Sequence, residues 1–95
     1  MADFKVVEVI DGDTFSVPEW HWRQKSGTVV RPLGYDTPEK GEPGYEAAKT
    51  KLKNLIEGKT VDIRNAVDID TYGRLLADVF YAGKNLADYF PEYKK

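Results

Sequence analysis

The hydrophobic period of this sequence changes over one central segment, and this change limits the folds that the chain can adopt. Apolar residues alternate with polar ones before and after this segment, which is typical of strands. Between Tyr45 and Glu57 they recur instead at helical spacing, with lysines on the other face. The predicted strands are 4–10, 14–20 and 28–35 before the helix, and 60–63 and 75–81 after it.

Three strands, one helix and two strands is the element order of the OB-fold, a partly open Greek-key barrel. We therefore expect residues 1–95 to form a single, mainly β (α+β) domain, a five-stranded OB-fold barrel with its helix between strands 3 and 4. A small mixed sheet has the same order and remains an alternative. A short helix over 86–90, capped by Asn85 and ended by Pro91, is predicted after the last strand.

Composition restricts the chemistry. The 95 residues include no cysteine, which excludes disulfides and thiolate metal sites, and one histidine, His21, which cannot form a zinc centre alone. A bound metal must therefore be held by oxygen, and this favours a hard cation such as Ca²⁺ or Mg²⁺. The net charge of −2 argues against a protein that grips nucleic acid by bulk electrostatics.

The sequence shows no targeting signal. It has no apolar run long enough to cross a membrane, and the N-terminus lacks a basic region followed by an apolar core. We expect a cytoplasmic protein if the chain is complete and an extracellular one if it is a mature or excised domain. A monomer is expected.

The stretch R-P-L-G-Y-D-T-P-E at 31–39 begins as a strand and ends in two carboxylates. Arg31, Leu33 and Tyr35 share one face if the pairing is regular, whereas Pro32 indicates an edge strand or a bulge. In isolation, this pattern is more typical of an ordinary strand that ends in a proline turn.

Two further polar segments stand where strands meet. D-G-D-T at 11–14 forms a hairpin turn with two carboxylates, and D-T-Y-G-R at 70–74 leads into the last strand. Each one alone is consistent with an ordinary turn. Taken with the 31–39 stretch, they suggest that Asp13 and Asp36 hold a hard cation directly and that Asp11 orients a metal-bound water.

The remaining polar residues complete a site for phosphoryl transfer. Arg31 and Arg74 approach from two strands and can clamp a phosphate in bidentate fashion. Glu39 lies where it can take a proton from a water. A cation, two arginines and a carboxylate base around a phosphodiester form such a site.

Three segments in this order resemble the staphylococcal nuclease-like (thermonuclease) family: V-I-D-G-D-T-F at 9–15, R-P-L-G-Y-D-T-P-E-K-G at 31–41, and D-T-Y-G-R-L-L-A at 70–77. The resemblance extends over nearly the whole chain. It implies an OB-fold and Ca²⁺-dependent hydrolysis of DNA and RNA, with single-stranded or locally unpaired substrate. Cleavage on the 5′ side of the phosphodiester would leave 3′-phosphates.

The resemblance also implies roles for individual residues. Asp13, Asp36 and the Thr37 carbonyl would bind calcium directly, whereas Asp11 and Glu39 would act through water. Glu39 is similar to the proposed general base of the family. The catalytic set implied is Arg31, Glu39 and Arg74, and the set that contacts substrate is Arg31, Arg74 and Tyr72.

The sequence departs from the family pattern in three respects. The loop between Glu39 and the helix is short compared with that of the best-known member. Pro32 follows the first arginine, where the family usually has an apolar residue with an N–H. The chain also ends soon after the last strand, so we expect a truncated C-terminal region without the helices and the two tyrosines that line the nucleotide site in the best-known member. The alternative is a weak or inactive domain that binds nucleic acid or protein. Trp20, Trp22 and Tyr72 are its candidate stacking aromatics.

Overall fold

The computed structural model describes residues 3–95, which form a curled sheet, one α-helix and two short 3-10 helices. The strands are β1 (Asp3–Lys5), β2 (Glu8–Asp11), β3 (Thr14–Trp22), β4 (Lys25–Pro32), β5 (Thr60–Ile69), β6 (Leu75–Tyr81) and β7 (Lys84–Asn85). The helix α1 spans Tyr45–Ile56, and the 3-10 helices span Leu86–Tyr89 and Pro91–Tyr93. None of the helices within this described part is long and apolar enough to cross a membrane.

The sheet has the OB-fold topology that the sequence predicts. Its strand order is β1-β5-β6-β4-β3-β2, with β7 beside β6, and its only parallel pair in the described chain is β4 with β6. The predicted first strand is divided, because the chain bends at Val6 and Val7. The amide of Val6 donates to the Lys59 carbonyl (2.8 Å), and that of Val7 donates to the Ser16 carbonyl (2.8 Å). The bent segment thus joins β5 to β3 and curls the sheet towards a barrel.

The connection predicted over residues 21–27 is wrong, because this segment belongs to a long hairpin. Trp22 pairs with Lys25, and a two-residue turn at Arg23 and Gln24 joins β3 to β4. Both turn residues have positive φ, 50° and 67°, as a type I′ turn requires. The usual signal for this turn is Asn-Gly or Asp-Gly, and its absence explains the wrong prediction.

The strand that carries Arg31 ends earlier than predicted. β4 lies between β3 and β6 and is therefore not an edge strand, and Pro32 is its last residue. Its pairing with β3 stops at Val30, so the missing N–H of Pro32 leaves no gap in that ladder. Gly34, with φ 98°, then turns the chain, and Tyr35 enters the core instead of sharing the face of Arg31.

The fourth predicted strand, 60–63, is too short, since β5 continues to Ile69. An irregularity between Arg64 and Asp68 interrupts its pairing with β6, and Asn65 adopts φ 54° there. This bulge breaks the period-2 pattern, which is why the sequence predicts a loop over 65–73. The last strand, β6, has the predicted bounds. Together β5 and β6 form a hairpin whose end carries residues 70–74.

The helix packs one apolar face against β2, with Tyr45, Ala48, Leu52 and Ile56 buried. It ends one residue before the predicted end. Its C-cap residue, Glu57, accepts a hydrogen bond from the Val9 amide at 3.0 Å. At its other end, the first turn of α1 lies against the acidic turn, where Tyr45 contacts Asp11 and Ala48 lies beside Gly12.

The C-terminal segment closes the core. The predicted cap at Asn85 is confirmed, because its side chain accepts from the Ala87 amide at 2.9 Å. The helix that it caps is a 3-10 helix that ends at Tyr89, one residue before the predicted end and before Pro91, which begins a second 3-10 helix. Phe90, fully buried between them, stacks on Tyr35 with ring centroids 4.6 Å apart.

Candidate functional site

The structure brings all the predicted site residues to one open cleft of about 880 Å³. The cleft lies where the turn between β2 and β3, the end of β4 with the loop that follows it, and the β5–β6 hairpin meet. The predicted residues that line it are Asp11, Asp13, Arg31, Asp36, Thr37, Glu39, Tyr72 and Arg74.

The acidic turn between β2 and β3 is pressed against helix α1. A Cβ on Gly12 would lie 2.8 Å from the Cβ of Ala48 and 2.8 Å from Oγ1 of Thr37, so only glycine fits without a shift. The Gly12 carbonyl also accepts a hydrogen bond from the buried Tyr35 hydroxyl at 3.0 Å. The backbone between Asp11 and Asp13 is thus held from two sides.

Arg31 connects the two aspartates that are predicted to bind a cation. Its Nη2 atom donates to Oδ2 of Asp13 at 3.3 Å and also to Oδ1 of Asp36. The side chains of Arg31 and Asp13 are 16% and 13% exposed, so this ion pair is largely shielded from water. Lys95 adds a second, exposed cation 2.7 Å from Oδ2 of Asp36. Burial acts to raise the pKa of Asp36, but hydrogen bonds from Lys95 and Arg31 hold that pKa below its usual range.

A hydrogen-bond network joins the two predicted arginines. The Asp13 carboxylate accepts from the hydroxyl of Thr14 and from the Thr37 amide, each at 3.3 Å. The Thr14 oxygen accepts in turn from Nη1 of Arg74 at 3.2 Å. Arg31 and Arg74 therefore lie at the two ends of one network that passes through Asp13 and Thr14.

Asp70 fixes the orientation of Arg74. Its Oδ2 accepts from Nε of Arg74 at 2.7 Å, and its Oδ1 accepts from the backbone amides of Tyr72 (3.0 Å) and Arg74 (2.9 Å). Burial acts to raise the pKa of Asp70, but these hydrogen bonds outweigh burial and lower it. The side chain thus shapes the hairpin end and holds the guanidinium at the same time.

Glu39 and Tyr72 lie at the rim of the cleft. Glu39 is exposed, and its backbone amide donates to Oε1 of Glu42 at 2.6 Å. Tyr72 is 82% exposed, and the guanidinium carbon of Arg74 lies 5.3 Å from its ring centroid. The rim thus offers a solvent-facing carboxylate and an open aromatic ring.

The other two predicted stacking aromatics differ from Tyr72. Trp20 is 1% exposed and donates through Nε1 to the Val29 carbonyl at 2.9 Å, so its prediction as a stacking residue is wrong. Trp22 is only partly exposed, and Arg23 covers its ring at 4.5 Å. Tyr72 is the freely accessible aromatic of this set.

Four residues that support the site received no role from the sequence pattern. The first is Asp70, whose ion pair with Arg74 could have been predicted from the four-residue spacing of the two side chains. Thr14 had only its place beside Asp13 as a signal. Tyr35 and Tyr45 contact the acidic turn from 23 and 34 residues away, respectively, and no local pattern predicts such contacts.

The donors in the cleft fit a hard cation. Among residues 3–95, no three His, Cys, Asp or Glu side chains already form a metal-binding group. The carboxylates of Asp13 and Asp36 nevertheless converge on one positively charged nitrogen of Arg31. Beside them, Oγ1 of Thr37 is buried without a hydrogen-bond partner in the described chain. Oxygen donors of this kind match the preference of Ca²⁺.

Comparison with known proteins adds family information. A family model described as "Staphylococcal nuclease homologue" matches residues 29–90. Two proteins named "Uncharacterized endonuclease", from Escherichia coli and from Escherichia coli O157:H7, are each 33% identical over 76 residues, which is 80% of this chain and 46% of the relative. The chain thus spans about half the length of these curated relatives. Asp11 and Asp13 precede the residues that the family model matches.

Proposed function

The chain belongs to the staphylococcal nuclease homologue family, and on this basis we propose that it is a calcium-dependent nuclease. Its substrate would be single-stranded or locally unpaired DNA or RNA. Hydrolysis on the 5′ side of the phosphodiester would leave 3′-phosphates. The observation that carries the proposal is the network that joins Arg31, Asp13, Thr14 and Arg74 in one cleft.

The two arginines would bind the phosphate and stabilise the negative charge that develops on it. Arg74 is suited to this role because Asp70 and Thr14 already fix its guanidinium. Its side chain therefore loses little conformational entropy when substrate binds. A planar guanidinium can donate two parallel hydrogen bonds to phosphate oxygens, which a lysine cannot. Tyr72 would stack on a base beside this phosphate.

Asp13, Asp36 and the Thr37 carbonyl would hold the calcium ion, with Asp11 and Glu39 acting through water. When bound, the ion supplies Lewis-acid stabilisation of the phosphate charge. Arg31 now pairs with both aspartates. In the loaded protein, Arg31 would exchange these carboxylates for the phosphate of the substrate.

Glu39 would act as the general base. It lies at the rim of the cleft and is open to solvent, where it can accept a proton from the attacking water. Replacing it by glutamine keeps the size of the side chain but removes the basic oxygen. A lost general base lowers turnover by roughly 10²–10⁴-fold.

The test is to incubate single-stranded DNA and RNA oligonucleotides with the protein in calcium and then in excess chelator. Glu39→Gln is the test variant. Glu46→Gln, an exposed carboxylate on the first turn of α1, is the matched control. We expect cleavage only with calcium, at full rate in Glu46→Gln and at a strongly reduced rate in Glu39→Gln. Binding without cleavage in calcium would instead support a binding module and contradict the nuclease.

A further inference from the structure

A buried tyrosine hydroxyl contacts the Asp11 carboxylate. Tyr45 is the first residue of α1 and is 7% exposed, and its hydroxyl donates to Oδ1 of Asp11 at 2.5 Å. We propose that Tyr45 is a positioning residue, which fixes the Asp11 carboxylate in the orientation that the cleft requires. The proposal rests on the proposed function, because it assigns Tyr45 a role through a residue of that site.

The surroundings make this contact the one that sets the direction of the Asp11 side chain. Within residues 3–95, the Tyr45 hydroxyl is the only hydrogen-bond donor to the Asp11 carboxylate. The tyrosine ring is itself held, because α1 packs on β2 and the next residue on the same helix face, Ala48, lies against Gly12. A rigid helix end therefore restrains a side chain that a turn alone would leave free to rotate.

The hydroxyl stays a donor over the working range of pH. The hydrogen bond to Asp11, together with burial, raises the pKa of Tyr45 to about 12. The tyrosine is therefore neutral at neutral pH, and the contact adds no charge to a cleft that already holds several carboxylates.

A second buried tyrosine holds the backbone of the acidic turn independently of Tyr45. Tyr35, fully buried, donates to the Gly12 carbonyl at 3.0 Å. Tyr35 thus holds the backbone of the acidic turn. The Tyr45 hydroxyl makes its short contact with the Asp11 carboxylate, and the Ile10 carbonyl lies farther from it, at 3.5 Å. Loss of the Tyr45 hydroxyl should free one side chain without releasing the turn.

The consequence for function follows from the role proposed for Asp11. A carboxylate that acts through a water must present its oxygen in a fixed direction, and the tyrosine bond to Oδ1 provides this restraint. Partners that orient such residues typically change metal affinity or activity by roughly 10–100-fold when they are lost. We expect an effect of this size for Tyr45→Phe, which keeps the ring in the core.

The matched control is Tyr89→Phe. The Tyr89 hydroxyl is also partly buried and also donates to an oxygen, the Tyr81 carbonyl at 3.0 Å, but Tyr81 does not line the cleft, whereas Asp11 does. Four variants would be compared with the wild type. They are Tyr45→Phe, Tyr89→Phe, Asp11→Ala, and the double variant that combines Asp11→Ala with Tyr45→Phe. Calcium affinity by titration and the separate kcat and KM for a single-stranded DNA oligonucleotide are the readouts, and thermal melts verify folding.

We expect Tyr45→Phe to weaken calcium binding or lower kcat by at least about tenfold. Tyr89→Phe should match the wild type. In the Asp11→Ala background, Tyr45→Phe should add less than about a twofold change, because the two residues act as one unit. The positioning role would be overturned if Tyr45→Phe and Tyr89→Phe had the same calcium affinity and kcat. It would also be overturned if Tyr45→Phe had its full effect in the Asp11→Ala background.

These outcomes separate the two proposals. A wild-type protein that cleaves, with Tyr45→Phe unaffected, contradicts only the role of Tyr45. A wild-type protein that binds calcium without cleaving contradicts the nuclease, and weaker calcium binding by Tyr45→Phe would still support its positioning role. A wild-type protein that neither binds calcium nor cleaves contradicts both.

Discussion

Arg31 and Lys95 both contact the Asp36 carboxylate, and their different burial predicts very different effects on stability. The Arg31 side chain is 16% exposed and also pairs with Asp13, whose side chain is 13% exposed, whereas the Lys95 side chain is 58% exposed. We predict that Arg31→Gln destabilises the metal-free protein strongly and that Lys95→Gln changes its stability little.

The magnitudes follow from what each change leaves behind. Breaking a buried ion pair on one side destabilises by about 3–5 kcal/mol, because the remaining charge is buried without a partner. Asp36 is 50% exposed and can be hydrated, which lowers the expected loss for Arg31→Gln to about 2–3 kcal/mol. An exposed pair such as that of Lys95 contributes at most about 1 kcal/mol.

Denaturant and thermal unfolding, followed by tryptophan fluorescence, measure both losses. For a domain of this size, each kcal/mol corresponds to roughly 4–8 °C in Tm. Arg31→Gln should therefore lower Tm by about 8–24 °C, and Lys95→Gln by less than about 8 °C. Calcium should restore more stability to Arg31→Gln than to wild type, since its two carboxylates lack their internal cation. Equal losses in the two variants would refute the idea that Arg31 is the internal counter-ion of this cleft.

Three further changes test the supporting structure. Gly12→Ala places a methyl group 2.8 Å from Ala48, so we expect a loss of about 1–3 kcal/mol in denaturant unfolding. The lowered pKa of Asp70 contributes stability that is complete above the ordinary carboxyl pKa and is lost as the pH falls through the folded-state value. The unfolding free energies of wild type and Asp70→Asn should therefore converge in acid, and a constant difference would contradict this. Arg74→Lys keeps the positive charge but removes the planar guanidinium that Asp70 and Thr14 hold in place. We therefore expect kcat to fall roughly 10²-fold or more.

The fold follows from the sequence where local patterns are regular. The alternation in 75–81 predicts β6 with its observed bounds, and the helical period predicts α1 to within one residue. The pattern fails where the backbone is irregular. Arg23 and Gln24 form a tight turn without the residues that usually mark it, and Asn65 lies in a bulge that interrupts the alternation of β5. In both places pairing with the neighbouring strand determines the structure, and local propensity does not.

The site is predictable only in part, for a similar reason. Residues with charged or aromatic groups at strand ends are visible in the sequence, and the structure places the three arginine and tyrosine residues (Arg31, Arg74 and Tyr72) and the acidic ones in one cleft, but neither tryptophan. The residues that hold them are not visible, because their contacts join distant parts of the chain. Tyr45 is an apolar-face residue of a helix by its spacing, and only the fold shows that its hydroxyl reaches Asp11. The pairing of Arg31 with Asp13 and Asp36 likewise depends on how three segments converge.

Analysis of the product ends is the most direct test of the proposed nuclease. A defined single-stranded DNA oligonucleotide would be incubated with the protein in calcium, and the fragments would be identified by mass spectrometry. We predict fragments with 3′-phosphate and 5′-hydroxyl ends, formed far more slowly by Arg31→Lys and by Arg74→Lys. An intact oligonucleotide, fragments with 5′-phosphate ends, or full cleavage by both arginine variants would contradict the proposal.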